Sequence, residues 1–141
     1  MSYLLDTCVL SELIKPRPNA AVCQWVAAQK EHRLFLSVIT IGELQKGVSK
    51  LSPGRRRTKL QRWLEGDLLI RFQGRLLGID TTVAGEWGVM LGEAESRGRP
   101  IPVIDALIAA TARVHHCAVV TRNETDIKPT GIDVVNPWTF P

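Results

Sequence analysis

Asp6, Glu43, Asp105 and Asp126 are the residues of this 141-residue sequence whose type and placement could do chemistry together. Taken singly, each reads equally well as a helix cap or a solvated surface group. Gathered at one place they mean something else. Two like charges about 4 Å apart repel by roughly 4 kcal/mol at an effective dielectric of 20, a large share of a small domain's net stability. Three or four carboxylates therefore call for a cation. Hard oxygen donors suit Mg²⁺ or Mn²⁺, and Mg²⁺ keeps several waters and takes only one or two carboxylates directly. An ion held in this way binds a phosphodiester oxygen, lowers the pKa of water and stabilises the charge on a departing oxygen. That is nuclease chemistry. Asp105 also falls in the first turn of an expected helix, where free backbone N–H groups favour an ionised carboxylate, so it should stay charged.

Whether the four acids can meet depends on the elements that carry them. Tyr3, Leu4 and Leu5 make a short apolar run ending in Asp6, and residues 9–14 then read as a helix stopped before Pro16 and Pro18. A helix is expected over 20–29, with Val22, Cys23, Val26 and Ala27 on one face, and a strand over 33–36. Ser37 stands as the N-cap of a helix over 38–51, where Val38, Ile41, Leu44 and Val48 recur at helical spacing and Pro53-Gly54 closes the segment. Glu43 lies inside it. A helix over 55–69 begins with basic residues, a strand follows over 76–80, and Thr82 is placed to cap a helix over 83–96. Residues 103–115 form a clear helix that buries Ile104, Leu107, Ile108 and Thr111, with Asp105 in its first turn. Strands over 118–121 and 132–135 finish the pattern, separated by a polar segment over 122–131.

Alternating strands and helices imply a parallel sheet covered on both faces, because parallel strands need crossover connections. Such sheets place ligands at the carboxyl ends of their strands. Asp6 and Asp126 fall just after expected strand ends, and Glu43 and Asp105 in early turns of helices leaving that same edge. Four acids from distant parts of the chain can therefore converge.

The length allows one domain, 1–141, with a real core but not two. The composition, 45% hydrophobic and 23% charged, is that of a chain that folds rather than one that stays disordered. No apolar run approaches the roughly twenty residues of a membrane span and no basic leader precedes an apolar stretch, so a cytoplasmic protein is expected. Cys8, Cys23 and Cys117 are odd in number and sit in apolar patterns, which favours reduced, mostly buried thiols over disulfides. A net charge of +4 favours an anionic partner, nucleic acid among them.

Other features are weaker. Arg55, Arg56 and Arg57, with Lys59 and Arg62, could guide an RNA backbone toward the acids or simply be a solvated helix face. Three adjacent residues, His115-His116-Cys117, cannot build a tetrahedral zinc site and have no partner cluster. No nucleophile has a plausible base beside it, which argues against covalent Ser or Cys catalysis. Glu12 would point along the first helix, toward a basic neighbour or a partner protein rather than a metal. Trp25, Trp63, Trp87 and Trp138 read as core or interface anchors rather than base-stacking platforms.

Four longer strings carry a family resemblance: residues 4–13 (LLDTCVLSEL), 37–47 around Glu43, 105–112 (DALIAATA) and 121–126 (TRNETD). In this order and spacing, and with the ending Val135-Asn136-Pro137-Trp138, the sequence resembles a PIN domain of the VapC or FitB toxin type. The resemblance implies a three-layer α/β/α fold around a central, mainly parallel sheet of about five strands. It further implies a Mg²⁺- or Mn²⁺-dependent endoribonuclease, usually a homodimer. Such a toxin is held inactive by a small antitoxin whose DNA-binding domain represses the shared operon. By motif position, Asp6, Glu43 and Asp105 match the core metal-site acids and Asp126 the more variable fourth. Thr7 and Asn123 fall where polar neighbours would position water, metal or phosphate. The sequence departs from the pattern at Cys8, where Asn is frequent, and at Ile127, where Phe is frequent; neither removes a charge, but both alter the surroundings of the acids.

Three alternatives compete. A phosphatase of the haloacid dehalogenase type would also open with a strand ending in Asp, but needs a second Asp where Cys8 stands. A non-catalytic, RNA-binding PIN domain usually loses acids that are all present here. A PIN nuclease of general RNA processing shares the chemistry, and the short chain favours the toxin.

Overall fold

Five short strands, Ser2–Leu5 (β1), Leu34–Ser37 (β2), Leu76–Leu77 (β3), Cys117–Val120 (β4) and Val134–Val135 (β5), form the centre of the computed structural model, which describes residues 1–140. They stand in the order β3-β2-β1-β4-β5, and every neighbouring pair is parallel. Helices supply the crossovers. Helices α1 (Thr7–Leu13) and α2 (Ala20–Ala28) link β1 to β2. Between β2 and β3 run α3 (Val38–Ser49), α4 (Arg55–Arg62), a π-helical stretch at Trp63–Leu68 and α5 (Leu69–Arg71). Helices α6 (Thr81–Ser96) and α7 (Val103–Val114) link β3 to β4, and α8 (Glu124–Ile127) with a 3₁₀ turn at Lys128–Thr130 leads to β5.

Side chains alternate across a strand, so consecutive apolar residues of β1 serve opposite faces. Leu5 packs into one core with Val9, Val22, Leu36, Leu64 and Phe72, whereas Leu4 packs into the other with Val83, Ile108, Val119 and Ile127. Both leucines are fully buried, each stabilising the fold by roughly 1.5–3 kcal/mol. Helix α7 is buried on all sides from Ala106 to Ala112 and packs against both α6 and β4. Its alanines let it lie close between these layers, a position open only to a helix apolar all round.

Several expectations need correction. The polar segment over 122–131 holds α8 and a 3₁₀ turn, so Asp126 sits within a short helix rather than just past a strand end. Asp80, not Thr82, caps α6, accepting from the Val83 amide at 2.9 Å. Asp6 itself is the N-cap of α1, which therefore starts at Thr7. The helix expected over 55–69 runs without a break to Arg71, with a π-helical stretch at Trp63–Leu68 that contains Gly66. Of the three free cysteines Cys117 is buried, while Cys8 and Cys23 are half-buried. Among the described residues no helix is long and apolar enough to cross a membrane.

Candidate active site

The chain reverses its winding direction between β1 and β4, since β1 leads outward to β2 and β4 leads to β5 on the other side. Open parallel sheets carry their ligand crevice at such a point, beyond the strands' carboxyl ends. Asp6 follows β1 there. Its amide donates to the Val120 carbonyl at 2.9 Å, continuing the β1–β4 ladder by one step and fixing its backbone. Its side chain is fixed as well: Oδ1 accepts from the Thr7 amide at 2.8 Å and Oδ2 from the Thr121 hydroxyl at 2.8 Å.

The other acids arrive from three directions. Ser37 ends β2 and caps α3, accepting from the Ile39 amide at 3.1 Å, which sends Glu43 back over the same edge. The Thr7 hydroxyl donates to Glu43 Oε1 at 2.7 Å. On the opposite side, the Asn123 side-chain amide donates to Asp126 Oδ2 at 2.7 Å and to Asp105 Oδ2 at 3.2 Å, tying α8 to the first turn of α7. Thr7 and Asn123 thus join the four acids in two hydrogen-bonded groups.

Asp105 reports the electrostatics of the whole site. Burial, then the charges of Asp6 and Asp126, a hydrogen bond with Asp126 and the charge of Glu43 push its carboxyl up to about 6. The α7 N-terminus therefore does not keep the carboxyl in its ordinary range, although a group at about 6 is still mostly ionised at neutral pH. A helix end contributes a fraction of a unit charge, and desolvation with three neighbouring carboxylates outweighs it.

The site is short of positive charge, and the groups that converge on it are hard carboxylate oxygens, the donor set that suits Mg²⁺ or Mn²⁺. Among the described residues no three of His, Cys, Asp and Glu are gathered into a ready cage for an ion. The arrangement thus fits an ion that binds one or two carboxylates directly and keeps its waters, with the remaining acids acting through those waters.

Thr121 is the residue that sequence reasoning missed. It is fully buried, and its hydroxyl donates to Asp6, accepts from the Asn123 amide at 3.0 Å and lies 3.6 Å from Cys8 Sγ. A hydroxyl has one proton, and here it is directed to Asp6, so the Cys8 S–H is the donor to Thr121. A polar residue ending an apolar strand at the same edge as Asp6 was the available signal.

The remaining candidates lie outside the cluster. Arg55, Arg56, Arg57, Lys59 and Arg62 belong to α4, across a cleft from Thr7 and Glu43 that Arg56 and Lys59 help to line. Glu12 pairs with Lys15 at 3.0 Å and accepts from the Asn19 amide at 3.0 Å, securing the turn between α1 and α2. Trp25 is buried edge-on to Tyr3, and the Trp138 ring carries the Arg122 guanidinium at 5.4 Å.

The PIN domain family matches residues 3–130. The VapC ribonuclease Y4jK of Sinorhizobium fredii is 39% identical over 96% of this chain and 96% of its own length. The toxin FitB of Neisseria gonorrhoeae is 37% identical over 96% of this chain and 97% of its own. A solved complex of FitAB bound to an IR36 DNA fragment contains a chain of the same fold, with a TM-score of 0.93 and 34% identity over 99% of this chain and 97% of that one.

Proposed function

Because the chain belongs to the PIN-domain family, among VapC ribonucleases and FitB toxins, we propose that it is a metal-dependent endoribonuclease and the toxic half of a toxin-antitoxin pair. The observation that carries this reading is the convergence of Asp6, Glu43, Asp105 and Asp126 at one edge of the sheet, held there by Thr7, Thr121 and Asn123, a crowding that pushes the Asp105 carboxyl upward. Proteins rarely retain such mutual repulsion without a use for the cation that relieves it.

In this reading Asp6 and Asp105 are the direct ligands, and Glu43 and Asp126 orient water. A bound Mg²⁺ or Mn²⁺ supplies Lewis acidity to the scissile phosphate and to the attacking water. The protein's own groups prepare the geometry. Thr7 and Thr121 hold Asp6 by both oxygens, leaving its outer lone pairs free. Thr7 also aims Glu43, and Asn123 keeps Asp105 and Asp126 side by side despite their repulsion. Water as nucleophile needs no 2′-hydroxyl from the RNA, and the family resemblance implies that the P–O3′ bond breaks with the 3′ oxygen as leaving group, giving 5′-phosphate and 3′-hydroxyl ends.

The same family membership supports a homodimer acting in the cytoplasm. It also supports a small cognate antitoxin that inhibits the site and carries the assembly to operator DNA, as FitAB is held on its DNA fragment. Incubating the purified chain with single-stranded and structured RNAs, in Mg²⁺ or in EDTA, and mapping the ends tests the chemistry. Cleavage that persists in EDTA or leaves 2′,3′-cyclic phosphate overturns it. Induction of the chain alone should arrest bacterial growth and the neighbouring antitoxin should relieve the arrest; normal growth at verified soluble expression counts against the toxin role.

A further inference from the structure

Two open clefts flank α3, and both take Thr7, Glu43 and Gly47 into their walls. The first, about 690 Å³, lies between α3 and α4 and carries Arg56 and Lys59. The second, about 500 Å³, lies on the far side of α3 and carries Lys46 and Lys50. Glu43 and Gly47 are four residues apart and so stand in one row along the helix. That row is the ridge dividing the clefts, with Leu44 and Val48 turned to the first and Gly42 and Lys46 to the second. At Gly47 the ridge has no side chain, and nothing lies within 4 Å of where a Cβ would project. Here the clefts are separated by backbone alone.

The charges beside this low point are free for a ligand. Arg56, Lys59, Lys46 and Lys50 are all exposed and take part in none of the ion pairs among the described residues. Helix α4 moreover opens with Arg55, Arg56 and Arg57 and has no acid in its first turn, which reinforces its positive end instead of balancing it. An anionic ligand offsets that cost.

We propose that a single strand of RNA occupies both clefts at once, its backbone crossing α3 over Gly47 so that the phosphodiester at the crossing meets Glu43 and Thr7. The inference rests on the ribonuclease reading and adds the path of the substrate over α3. A single strand meets cations on entering and on leaving and can bend sharply between them. A duplex cannot: double-stranded DNA is stiff over about 150 base pairs, and a stiff rod does not dip across a helix from one cleft to the next.

Gly47 separates folding from binding. Glycine is a poor helix former and a Cβ here meets nothing, so Gly47→Ala and Gly47→Gln should melt no lower than wild type. Gly47→Gln nevertheless raises a side chain across the path. Its KM for a short single-stranded RNA should rise on the order of tenfold with kcat little changed, the mark of lost binding, while Gly47→Ala loses much less.

Anisotropy titrations of the same labelled RNA, kept whole by EDTA, add a second reading. The pair Lys46→Ala with Lys50→Ala, and separately Arg56→Ala with Lys59→Ala, should each flatten the slope of log K against log salt by about 1.4, at about 0.7 per phosphate contact. A slope changed by only one pair, an unchanged KM in Gly47→Gln, or duplex RNA bound as tightly as the single strand overturns the path. So does a Gly47→Gln protein that keeps RNA binding and loses only inhibition by the antitoxin, since the clefts would then be a protein site. A wild type that cleaves no RNA in Mg²⁺ overturns the ribonuclease reading instead.

Discussion

The Thr121 hydroxyl donates to Asp6 Oδ2 at 2.8 Å, joining residues 115 positions apart at the ends of adjacent parallel strands. The Thr121 hydroxyl oxygen also accepts from the Asn123 backbone amide, so one buried group orients Asp6 and anchors the turn that leads to Asp126. Thr121→Val keeps the shape and removes the hydroxyl, stranding the Asn123 N–H. We expect a loss of about 1–3 kcal/mol in stability from that unsatisfied donor. Mn²⁺ affinity, read by titration calorimetry, should fall by about 10–100-fold, because groups that orient ligands contribute to that extent. Thr121→Ser should restore both. A Val variant with wild-type Mn²⁺ affinity would show that Asp6 is oriented without Thr121.

Stability and activity should move apart at Asp105. Asp105→Asn removes one of several mutually repelling charges, so the metal-free variant should melt no lower than wild type, while Mg²⁺-dependent cleavage is abolished. Wild type should gain melting temperature on adding Mg²⁺ or Mn²⁺ as RT ln(1 + [L]/Kd) requires, and the variant much less. Equal metal-induced shifts in the two proteins would remove Asp105 from the metal site.

The pH dependence of the metal-free protein follows from the same residue. Its folded carboxyl is raised to about 6 from an ordinary value of 3.8, so between these values the folded state binds more protons than the unfolded. Stability must then fall as pH rises through that window, with the cost fully present above it. Thermal melts in EDTA at closely spaced pH values should show this fall in wild type and not in Asp105→Asn. The same slope in both proteins would assign it to other groups.

Acid should act oppositely at Glu31, whose carboxylate bonds to Arg71 at 2.9 and 3.0 Å and to Arg75 at 2.7 Å. Hydrogen bonding to Arg71, then to Arg75, holds it down to about 2 from an ordinary 4.5. A lowered carboxyl stabilises the fold above the unfolded value, and that contribution drains away as pH falls toward about 2. Half of the side chain is exposed, so solvent screening keeps the effect modest, about 1 kcal/mol or less per ion pair. Glu31→Gln should lower the melting temperature at neutral pH and match wild type near pH 2; a constant difference across this range would deny the ion pairs their role.

The parallel sheet, the longer helices and the placement of Asp6, Glu43 and Asp105 on them were legible in the sequence because local rules govern them. Alternating strands and crossover helices define the architecture, Ser37 announces α3, and the apolar period of 103–115 announces α7. Turn chemistry was harder to read: Asp80 and Thr82 are both capping types, Asp the stronger, and the backbone places Asp80 at the cap. The short helix under Asp126 gave no periodic signal, being only four residues long.

What tertiary structure alone decided are the relations between segments. The link from Thr121 to Asp6, the bridge of Asn123 between Asp105 and Asp126, and the two clefts meeting beside Gly47 join parts of the chain whose residue types say nothing of each other. The upward shift of Asp105 belongs with them. Its own helix end favours charge, but three carboxylates brought in by other elements, together with burial, reverse the sign. Hydrogen bonds and Coulomb forces depend on distance in space, and distance in space is set only once the sheet has brought its strand ends together.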